Sequence, residues 1–388
     1  MTWALTPLNE EQRAIQSTAR EFAARELAPY VEQWDRDAHF DPAVIGKLGE
    51  LGFLGMMVPE EYDGLGLETL TYLVALEEIA SVDASTAVLM SVHNSLPTQM
   101  LMRWGSDEQK ERFLRPMARG DQLGAFALSE PDSGSDAASL RTQATRDGDC
   151  WTLNGTKAWV SSGTHAGVIV AMARTDSADD RRGARGIGAF LVTPDLPGFS
   201  VGKKEDKMGL RASPTVQLRF DNMRVPHRNL LGEPGMGFIY AMQSLDAGRL
   251  GIAAQAVGIA QAALTHSTRY ASERRQFGKP IKEFQAIQFK LADMAAKVAA
   301  SRALLHAAAT ARDRGQHIRQ FSAMAKLTAS ETAMWVTTQA IQIFGGYGYV
   351  SDYPVERLFR DAKVTEIYEG TSEIQRIVIA RELYSRVQ

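Results

Sequence analysis

The sequence predicts an α+β protein with a mostly helical N-terminal domain, a middle antiparallel β domain, and a C-terminal helical domain resembling a four-helix bundle. The chain has 388 residues, which is more than one hydrophobic core usually serves. Apolar residues recur at helical spacing toward both ends. Short apolar runs bounded by turn residues occupy the middle. We expect the three domains to cover residues 1–120, 121–230 and 231–388.

The N-terminal domain is predicted to be helical almost throughout. In its first helix, Ile15, Phe22 and Leu27 recur at helical spacing, and Pro29 lies near the helix end. The same kind of pattern predicts the other helices of this domain. The expected ranges are residues 8–33, 41–52, 69–81, 84–104 and 106–119.

The middle domain is predicted from short apolar runs. Asn154-Gly155 is the dipeptide most typical of a two-residue hairpin turn, so we expect a hairpin between strands at 150–153 and 157–160. The segment 175–186 is rich in Asp and Arg and is predicted to be an exposed loop. Further strands are expected over residues 124–128, 167–173, 187–192 and 216–220.

The C-terminal domain is predicted to be a bundle of long, alanine-rich amphipathic helices. We expect these helices over residues 238–272, 283–313, 318–344, 354–363 and 372–386. Gly370 supplies the backbone freedom for a break before the last helix, and Thr371 or Ser372 can cap it. Glu369 therefore lies on a bend. Taken alone, such a glutamate is more often a solvated turn residue than a catalytic base.

Composition and the absence of common motifs exclude several classes of function. A formal charge of −3 argues against a nucleic-acid binder, and 45% hydrophobic residues exclude a disordered chain. Cys150 is the only cysteine and the seven histidines lack ligand spacing, so we predict no metal site. There is no G-x-G-x-x-G, Walker A, G-x-S-x-G or H-E-x-x-H sequence.

The sequence predicts neither an export signal nor a membrane-spanning helix. The first residues show no basic leader or apolar core, so no export signal is visible. Residues 250–268 carry no formal charge, but they include glutamines and glycines that suit a buried helix better than a membrane span. We expect a soluble, cytoplasmic protein.

Seven segments, in this order, carry a resemblance to the acyl-CoA dehydrogenase family. The similarity covers essentially the whole chain and is closest to the short-chain (butyryl-CoA) branch. It implies the three-domain acyl-CoA dehydrogenase fold. The segments are FALSEPDSGSD (126–136), LNGTKAWVSS (153–162), LGEPGMGF (231–238), RRQFG (274–278), QAIQFKLADM (285–294), QIFGG (342–346) and VTEIYEGTSE (364–373).

The resemblance implies that the cofactor is FAD. A tryptophan at position 159 is by default part of the β-domain core. The family match instead places Trp159, Val160 and Ser161 against the isoalloxazine ring. The family commonly has glycine where this chain has Asp132. In the family, the residues that match the RRQFG and QIFGG segments reach the FAD of a neighbouring subunit. The implied FAD-binding residues are Phe126, Leu128, Ser129, Gly134, Ser135, Trp159, Val160, Ser161, Arg274, Phe277, Gln285, Gln342, Ile343, Gly345, Gly346, Thr371 and Glu373.

The resemblance also implies a reaction. Glu369 would remove the C2 proton of a saturated acyl-CoA while flavin N5 accepts the C3 hydride, giving the trans-2-enoyl-CoA. Arg249 would support the loop that carries the base. Two branches of the family place the glutamate instead on the helix that carries Asp246 and Arg249, at the position of Gly248, so Glu369 is favoured here. The implied substrate-binding residues are Ser135, Asp246, Arg249, Tyr368 and Gly370.

The implied partners are the acyl-CoA substrate, electron-transfer flavoprotein as electron acceptor, and other copies of the chain in a homotetramer (a dimer of dimers). Several alternatives stay open from the sequence. The substrate could be medium-chain or branched-chain, the electron acceptor could be O₂ as in an acyl-CoA oxidase, or the chain could be a scaffold without flavin. Hydrogen peroxide formation would identify the oxidase, and a colourless protein would identify the scaffold.

Overall fold

The computed structural model describes residues 5–175 and 183–385. Its N-terminal part is helical, as predicted. Two helices run through short π-helical turns, at Ala23–Leu27 and Lys110–Leu114. The α-helices are α1 (Glu10–Phe22), α2 (Val31–Asp37), α3 (Ala43–Glu50), α4 (Thr69–Ala80), α5 (Ala84–Ser95), α6 (Pro97–Trp104), α7 (Asp107–Gln109) and α8 (Arg115–Arg119).

Two of the predicted N-terminal helices are each split in the structure. The helix expected over 84–104 breaks at Leu96, where φ is −112° and ψ is −82°, and α6 restarts with Pro97 at its first position. Proline disfavours the helical conformation in the residue before it but is well accommodated at a helix start. The helix expected over 8–33 is interrupted at residues 28–30, where Pro29 has no N–H to continue the helical hydrogen bonds, and α2 begins at Val31.

The middle of the chain forms one eight-stranded sheet with the order β6-β7-β3-β2-β4-β5-β8, and β1 pairs with β4. Strands β2 and β6 were not predicted, because both are mostly exposed and lack a clear apolar run. The strands are β1 (Leu123–Ala127), β2 (Gln143–Asp147), β3 (Cys150–Ser161), β4 (Ala166–Arg174), β5 (Ile187–Val192), β6 (Phe199–Lys204), β7 (Thr215–Pro226) and β8 (Leu230–Leu231).

The sheet differs from the prediction in two respects. It is mixed rather than wholly antiparallel, because β1 runs parallel to β4. The prediction of a hairpin at Asn154-Gly155 is wrong, because β3 continues through this dipeptide with a shift in its register against β7. Gly155 is needed there for space, because an added Cβ would lie 2.8 Å from Thr142 Cα. The tight turn lies instead between the paired residues Asp147 and Cys150. Of the predicted loop over 175–186, residues 176–182 lie outside the described part of the chain.

Alternate residues of the central strands face two different cores. On β4, Val168, Val170 and Met172 pack with the helices, while Ile169 and Ala171 belong to a separate core inside the β domain. This period of two is that of a sheet buried on both faces. The β domain is therefore joined to the helices through a continuous apolar layer, which fixes its strands relative to the C-terminal bundle.

The C-terminal part is a helical bundle around one long central helix. The 37-residue α9 is buried along most of its length and packs against α4 and α5 as well as against three bundle helices. A two-stranded ribbon, β9 (Arg275–Gln276) and β10 (Lys279–Pro280), follows it. The helices are α9 (Gly237–Glu273), α10 (Gln285–Asp313), α11 (Arg319–Phe344), α12 (Val355–Val364) and α13 (Ser372–Ser385). Within the described ranges, no helix combines the length and apolar character needed to cross a membrane.

Candidate active site

The predicted break near the C-terminus is present as a sharp corner between α12 and α13. Glu369 has φ +51° and Gly370 has φ +96°, so two successive residues depart from ordinary right-handed geometry. A non-glycine residue pays a conformational cost at positive φ and is kept there only when its surroundings hold it. Thr371 caps the following helix, since its hydroxyl accepts the N–H of Ile374 at 3.3 Å. The corner aims the Glu369 side chain into the bundle.

The carboxylate of Glu369 is buried without a partner. Both of its oxygens are inaccessible to solvent, and neither has a hydrogen-bond partner among the described residues. Burial raises the pKa of Glu369 to about 7, against the opposing attraction of Lys326 and Arg249. A buried carboxylate without hydrogen bonds is costly for stability. It is also well suited to accept a proton near neutral pH.

Gly248 makes room for this carboxylate. An added Cβ at position 248 would lie 3.1 Å from Glu369 Cδ and still closer to Oε2. The neighbouring side chain on that side is Leu96, whose Cδ2 would lie 3.3 Å from the same Cβ. A glycine in the middle of α9 weakens the helix by about 1 kcal/mol relative to alanine. The space that a side chain at position 248 would need is thus filled by the Glu369 carboxylate.

The other residues predicted to bind the substrate lie around the same corner, except Ser135, which is exposed on the β-domain loop after Glu130. Arg249 is buried and donates to Asp246 at 2.6 Å, and Arg319 donates to the second Asp246 oxygen at 3.2 Å. The Arg249 Nε has no partner among the described residues. Tyr368 is half-buried, and its hydroxyl donates to Gln255 of α9. The structure therefore brings Asp246, Arg249, Tyr368, Glu369 and Gly370 together.

A second group of predicted residues lies on the β domain. Trp159 has φ +61° and is 62% exposed, so the default prediction that it belongs to the β-domain core is wrong. Val160 beside it is fully buried. The Ala158 N–H donates to the Ser129 carbonyl at 2.9 Å, which ties the strand to the segment following Phe126. The strand thus presents a flat indole face outward from a rigid sheet.

A buried ion pair fixes these two segments to each other. Lys157 is fully buried, and its Nζ donates to Glu130 at 2.8 Å and to the Leu128 carbonyl at 3.1 Å. Glu130 also accepts the backbone N–H groups of Arg141 and Thr142. Lys157 and Glu130 both lie inside the matched sequence segments, yet sequence reasoning gave neither a role. Their positions in a loop and a strand gave no sign that they would be buried together.

The loop after Glu130 is open to solvent. Gly134 and Ser135 are both exposed, and the Ser133 hydroxyl donates to the Asp136 carbonyl at 2.8 Å. Asp132, the departure from the family pattern, forms an exposed ion pair with Arg141 at 3.5 Å. Its φ is not positive, so the backbone here does not require the glycine that the family commonly has.

A third group lies at the far ends of the bundle helices. The guanidinium of Arg274 lies 5.4 Å from the centroid of the Tyr347 ring, which joins the end of α9 to the turn after Gly346. Phe277 has φ +49° and is 92% exposed. Of the remaining members, Ile343 is buried, whereas Gln285 and Gln342 are exposed. Within the described residues, no hydrogen bond joins this group to the Trp159 strand.

The residues predicted for FAD fit a large planar cofactor with a phosphate chain. Trp159 offers an uncovered aromatic face on β3. At the end of α11, Gly345 has φ +62°, and a Cβ built on Gly345 or Gly346 meets nothing within 4 Å. Open space beside glycine backbone allows a ligand to approach closely. Thr371 and Glu373 follow the Glu369 corner, and Glu373 is exposed at the start of α13.

Family models match three consecutive parts of the chain. Residues 9–121 match the N-terminal domain of acyl-CoA dehydrogenase, residues 125–223 the middle domain, and residues 235–384 the C-terminal domain. The chain belongs to the acyl-CoA dehydrogenase family. The resemblance stated from the sequence and the three-part fold are thereby confirmed.

Individual relatives agree over nearly the full length of this acyl-CoA dehydrogenase. It is 52% identical to the mitochondrial short-chain specific acyl-CoA dehydrogenase of Mus musculus, over 97% of this chain and 90% of the relative. It superimposes on butyryl-CoA dehydrogenase from Megasphaera elsdenii with a TM-score of 0.95 and 44% identity, covering 99% and 100% of the two chains. It also matches, at TM-score 0.95 and 46% identity over 99% of both, a chain from a structure of the electron transferring flavoprotein of Acidaminococcus fermentans.

One residue that contacts the Glu369–Gly370 corner was not predicted. Lys326 is fully buried in α11 and donates to the Gly370 carbonyl at 2.8 Å. A signal was present in the sequence, because Lys326 lies at helical spacing with Ala323, Ala329 and Ala333, on the stripe that faces the core. A lysine on such a stripe is unusual and marks a charge with a buried partner.

Proposed function

We propose that this protein is an FAD-dependent dehydrogenase that converts a saturated short-chain acyl-CoA to the trans-2-enoyl-CoA. The observation that carries the proposal is the buried Glu369 carboxylate, which has no hydrogen-bond partner among the described residues and a pKa near 7. The family membership and the similarity to short-chain relatives support the substrate class.

Glu369 is the residue we assign to proton removal from C2. Its carboxylate is kept dry and free of hydrogen bonds, so it gains a proton without first losing a protein partner. The backbone N–H of Glu369 has no acceptor among the described residues and donates, in this proposal, to the thioester oxygen. A donor aimed at developing negative charge in a dry site stabilises a transition state by about 3 kcal/mol. Arg249, held by Asp246, keeps the wall of the site in place.

FAD, when bound, supplies the acceptor for the hydride that leaves C3 as the C2–C3 double bond forms. We assign the ring of FAD to the face of Trp159 and to Ser161. We assign its phosphates to the open backbone at Gly345-Gly346 and to the loop at Gly134-Ser135. Lys157 and Glu130 hold the two β-domain segments at a fixed spacing.

Replacing Trp159 by alanine should weaken FAD binding by a factor of about 5 or more without unfolding the protein. The indole is 62% exposed, so its removal leaves no cavity, whereas stacking on an aromatic face contributes about 1 kcal/mol or more. Flavin fluorescence titration of the apoprotein measures the binding, and thermal melting of the apoprotein measures the stability. The buried Phe190→Ala variant is the control for a core loss. Unchanged FAD affinity in Trp159→Ala would remove Trp159 from the site.

We propose that the protein is a homotetramer, a dimer of dimers, in which each cofactor site is completed by a second copy. Phe277, Phe289 and Tyr349 are 92%, 59% and 87% exposed, an arrangement that suits contact with another chain. Phe277→Asp should lower both the mass measured by light scattering and the bound flavin per chain. Loss of flavin with an unchanged mass, or the reverse, would separate the two roles and contradict a shared site.

Anaerobic titration with saturated acyl-CoAs of different chain length tests the function as a whole. We expect the visible flavin band to bleach most readily with butyryl-CoA, and electron-transferring flavoprotein to restore it. A stronger response to a longer or branched acyl-CoA would change the proposed substrate but would still support the proposed reaction. Hydrogen peroxide formed in air at the turnover rate, without the acceptor protein, would identify an oxidase instead.

A further inference from the structure

The Gly370 carbonyl, next to the candidate base, accepts two hydrogen bonds from the bundle. One comes from Nζ of Lys326 on α11, at 2.8 Å, and the other from Nε2 of Gln375 on α13, also at 2.8 Å. Gln375 reaches the Glu369 carbonyl as well, at 3.2 Å. These bonds hold the two residues of the corner in their positive-φ conformation. An ammonium group and a neutral amide thus donate to the same backbone carbonyl.

A neutral amide already serves this carbonyl, so the ammonium adds chiefly a charge. Lys326 is fully buried, and burial of an ammonium is costly unless an opposite charge is near. The desolvation lowers the pKa of Lys326 to about 8, and the attraction of Glu369 works against that lowering. If the hydrogen bond alone were needed, an uncharged side chain would supply it at less cost.

The charges that face Glu369 come from several elements. Arg249 of α9 is already paired with Asp246, at 2.6 Å. Glu366, which acts on Lys326 from the turn before the corner, is itself paired with Lys363 at 2.6 Å. Lys326 is therefore the buried cation beside the corner that has no ion pair within the described chain. Titratable and charged groups from each packed element interact with Glu369 or with Lys326. They are Tyr72 of α4, Arg249 of α9, Tyr368 of the corner and Glu373 of α13.

We propose that Lys326 is a positioning residue for the reaction: its ammonium holds the Glu369–Gly370 corner and favours the ionised form of the Glu369 carboxylate. The inference rests on the proposed role of Glu369 as the base. Lys326 itself does not touch the reacting atoms in this proposal. It acts through its electrostatic attraction for the Glu369 carboxylate and through its hydrogen bond to the Gly370 carbonyl.

Lys326→Gln tests the charge, because glutamine can still donate to the Gly370 carbonyl. We expect the rising limb of kcat/KM against pH to move upward by about one pH unit, because the attraction of Lys326 opposes the rise that burial causes in the pKa of Glu369, and a nearby opposite charge typically lowers a carboxyl pKa by about one unit or more. The same shift is expected in the holoprotein without substrate, in the infrared C=O band of the protonated carboxyl that is missing from Glu369→Gln. If Lys326→Gln does not fold, Lys326→Met is compared with Gln375→Met instead, because each removes one donor to the Gly370 carbonyl and only Lys326→Met also removes a charge. Lys326→Arg should restore the original midpoint.

Gln375→Met is the matched control, because it removes the neutral donor to the same carbonyl and leaves the charge. We expect it to lower kcat without moving either midpoint. An unmoved infrared midpoint in Lys326→Gln, or an equal movement in Gln375→Met, would overturn the inference. Full activity in Glu369→Gln would instead overturn the proposed base, and the infrared titration would still report whether Lys326 sets the charge of residue 369.

Discussion

Replacing Glu369 by glutamine should lower turnover of butyryl-CoA by a factor of about 10² to 10⁴. Glutamine has nearly the same shape but cannot accept the C2 proton. The side chain carboxylate has no hydrogen-bond partner among the described residues, so the substitution breaks no contact that the structure provides. Steady-state rates with the electron acceptor in excess, together with the flavin content, measure the effect. We expect the variant to stay yellow.

Glu366→Gln is the control for this experiment. It lies three residues earlier on the same turn, and its carboxylate is paired at the surface with Lys363 at 2.6 Å. Loss of one partly exposed ion pair costs at most about 1 kcal/mol of stability, so turnover should stay close to that of the unsubstituted protein. If Glu369→Gln retained more than a few per cent of the activity, the assignment of the base would be wrong.

Replacing Gly248 by alanine should lower kcat by a factor of about 10², because a displacement of about 1 Å in a reacting group has an effect of this size. The added methyl would lie 3.1 Å from Glu369 Cδ and closer to Oε2, so the carboxylate must move. The flavin site lies on other segments and should be unaffected. Rapid-mixing measurement of flavin reduction at saturating butyryl-CoA separates this effect from substrate binding.

Gly46→Ala provides a matched glycine-to-alanine change in another helix. A Cβ at position 46 of α3 meets nothing within 4 Å, so this variant should keep full activity and gain slightly in stability. Full activity in Gly248→Ala as well would mean that the Glu369 carboxylate does not react from the position seen in this structure.

The order of domains and the helices were predictable because their pattern is local. Helical spacing repeats within a few residues, and the bundle helices end within a residue or two of the predicted limits. The sheet was less predictable. Asn154-Gly155 has the sequence of a turn, but its side-chain and backbone contacts with Asn222 and Thr142 come from distant parts of the chain and keep it within β3. Local preference is overridden there by pairing on both sides.

The candidate site divides in the same way. The corner at Glu369 was predictable, because a glycine and a helix cap mark it within four residues. The burial of its carboxylate, the space left by Gly248 and the ammonium of Lys326 depend on α9 and α11 meeting that corner. Contacts between segments far apart in the chain leave only weak traces in a single sequence, such as one lysine on an apolar stripe.

The most direct test of Glu369 as the base is the rate of flavin reduction at low butyryl-CoA concentration, measured across pH with and without deuterium at C2. The low-substrate rate reports groups of the free protein. With the pKa of Glu369 near 7, we expect the rate to rise through neutral pH and to be slowed by deuterium at C2. A rate that stays constant from acid to alkaline pH and shows no isotope effect would contradict the account.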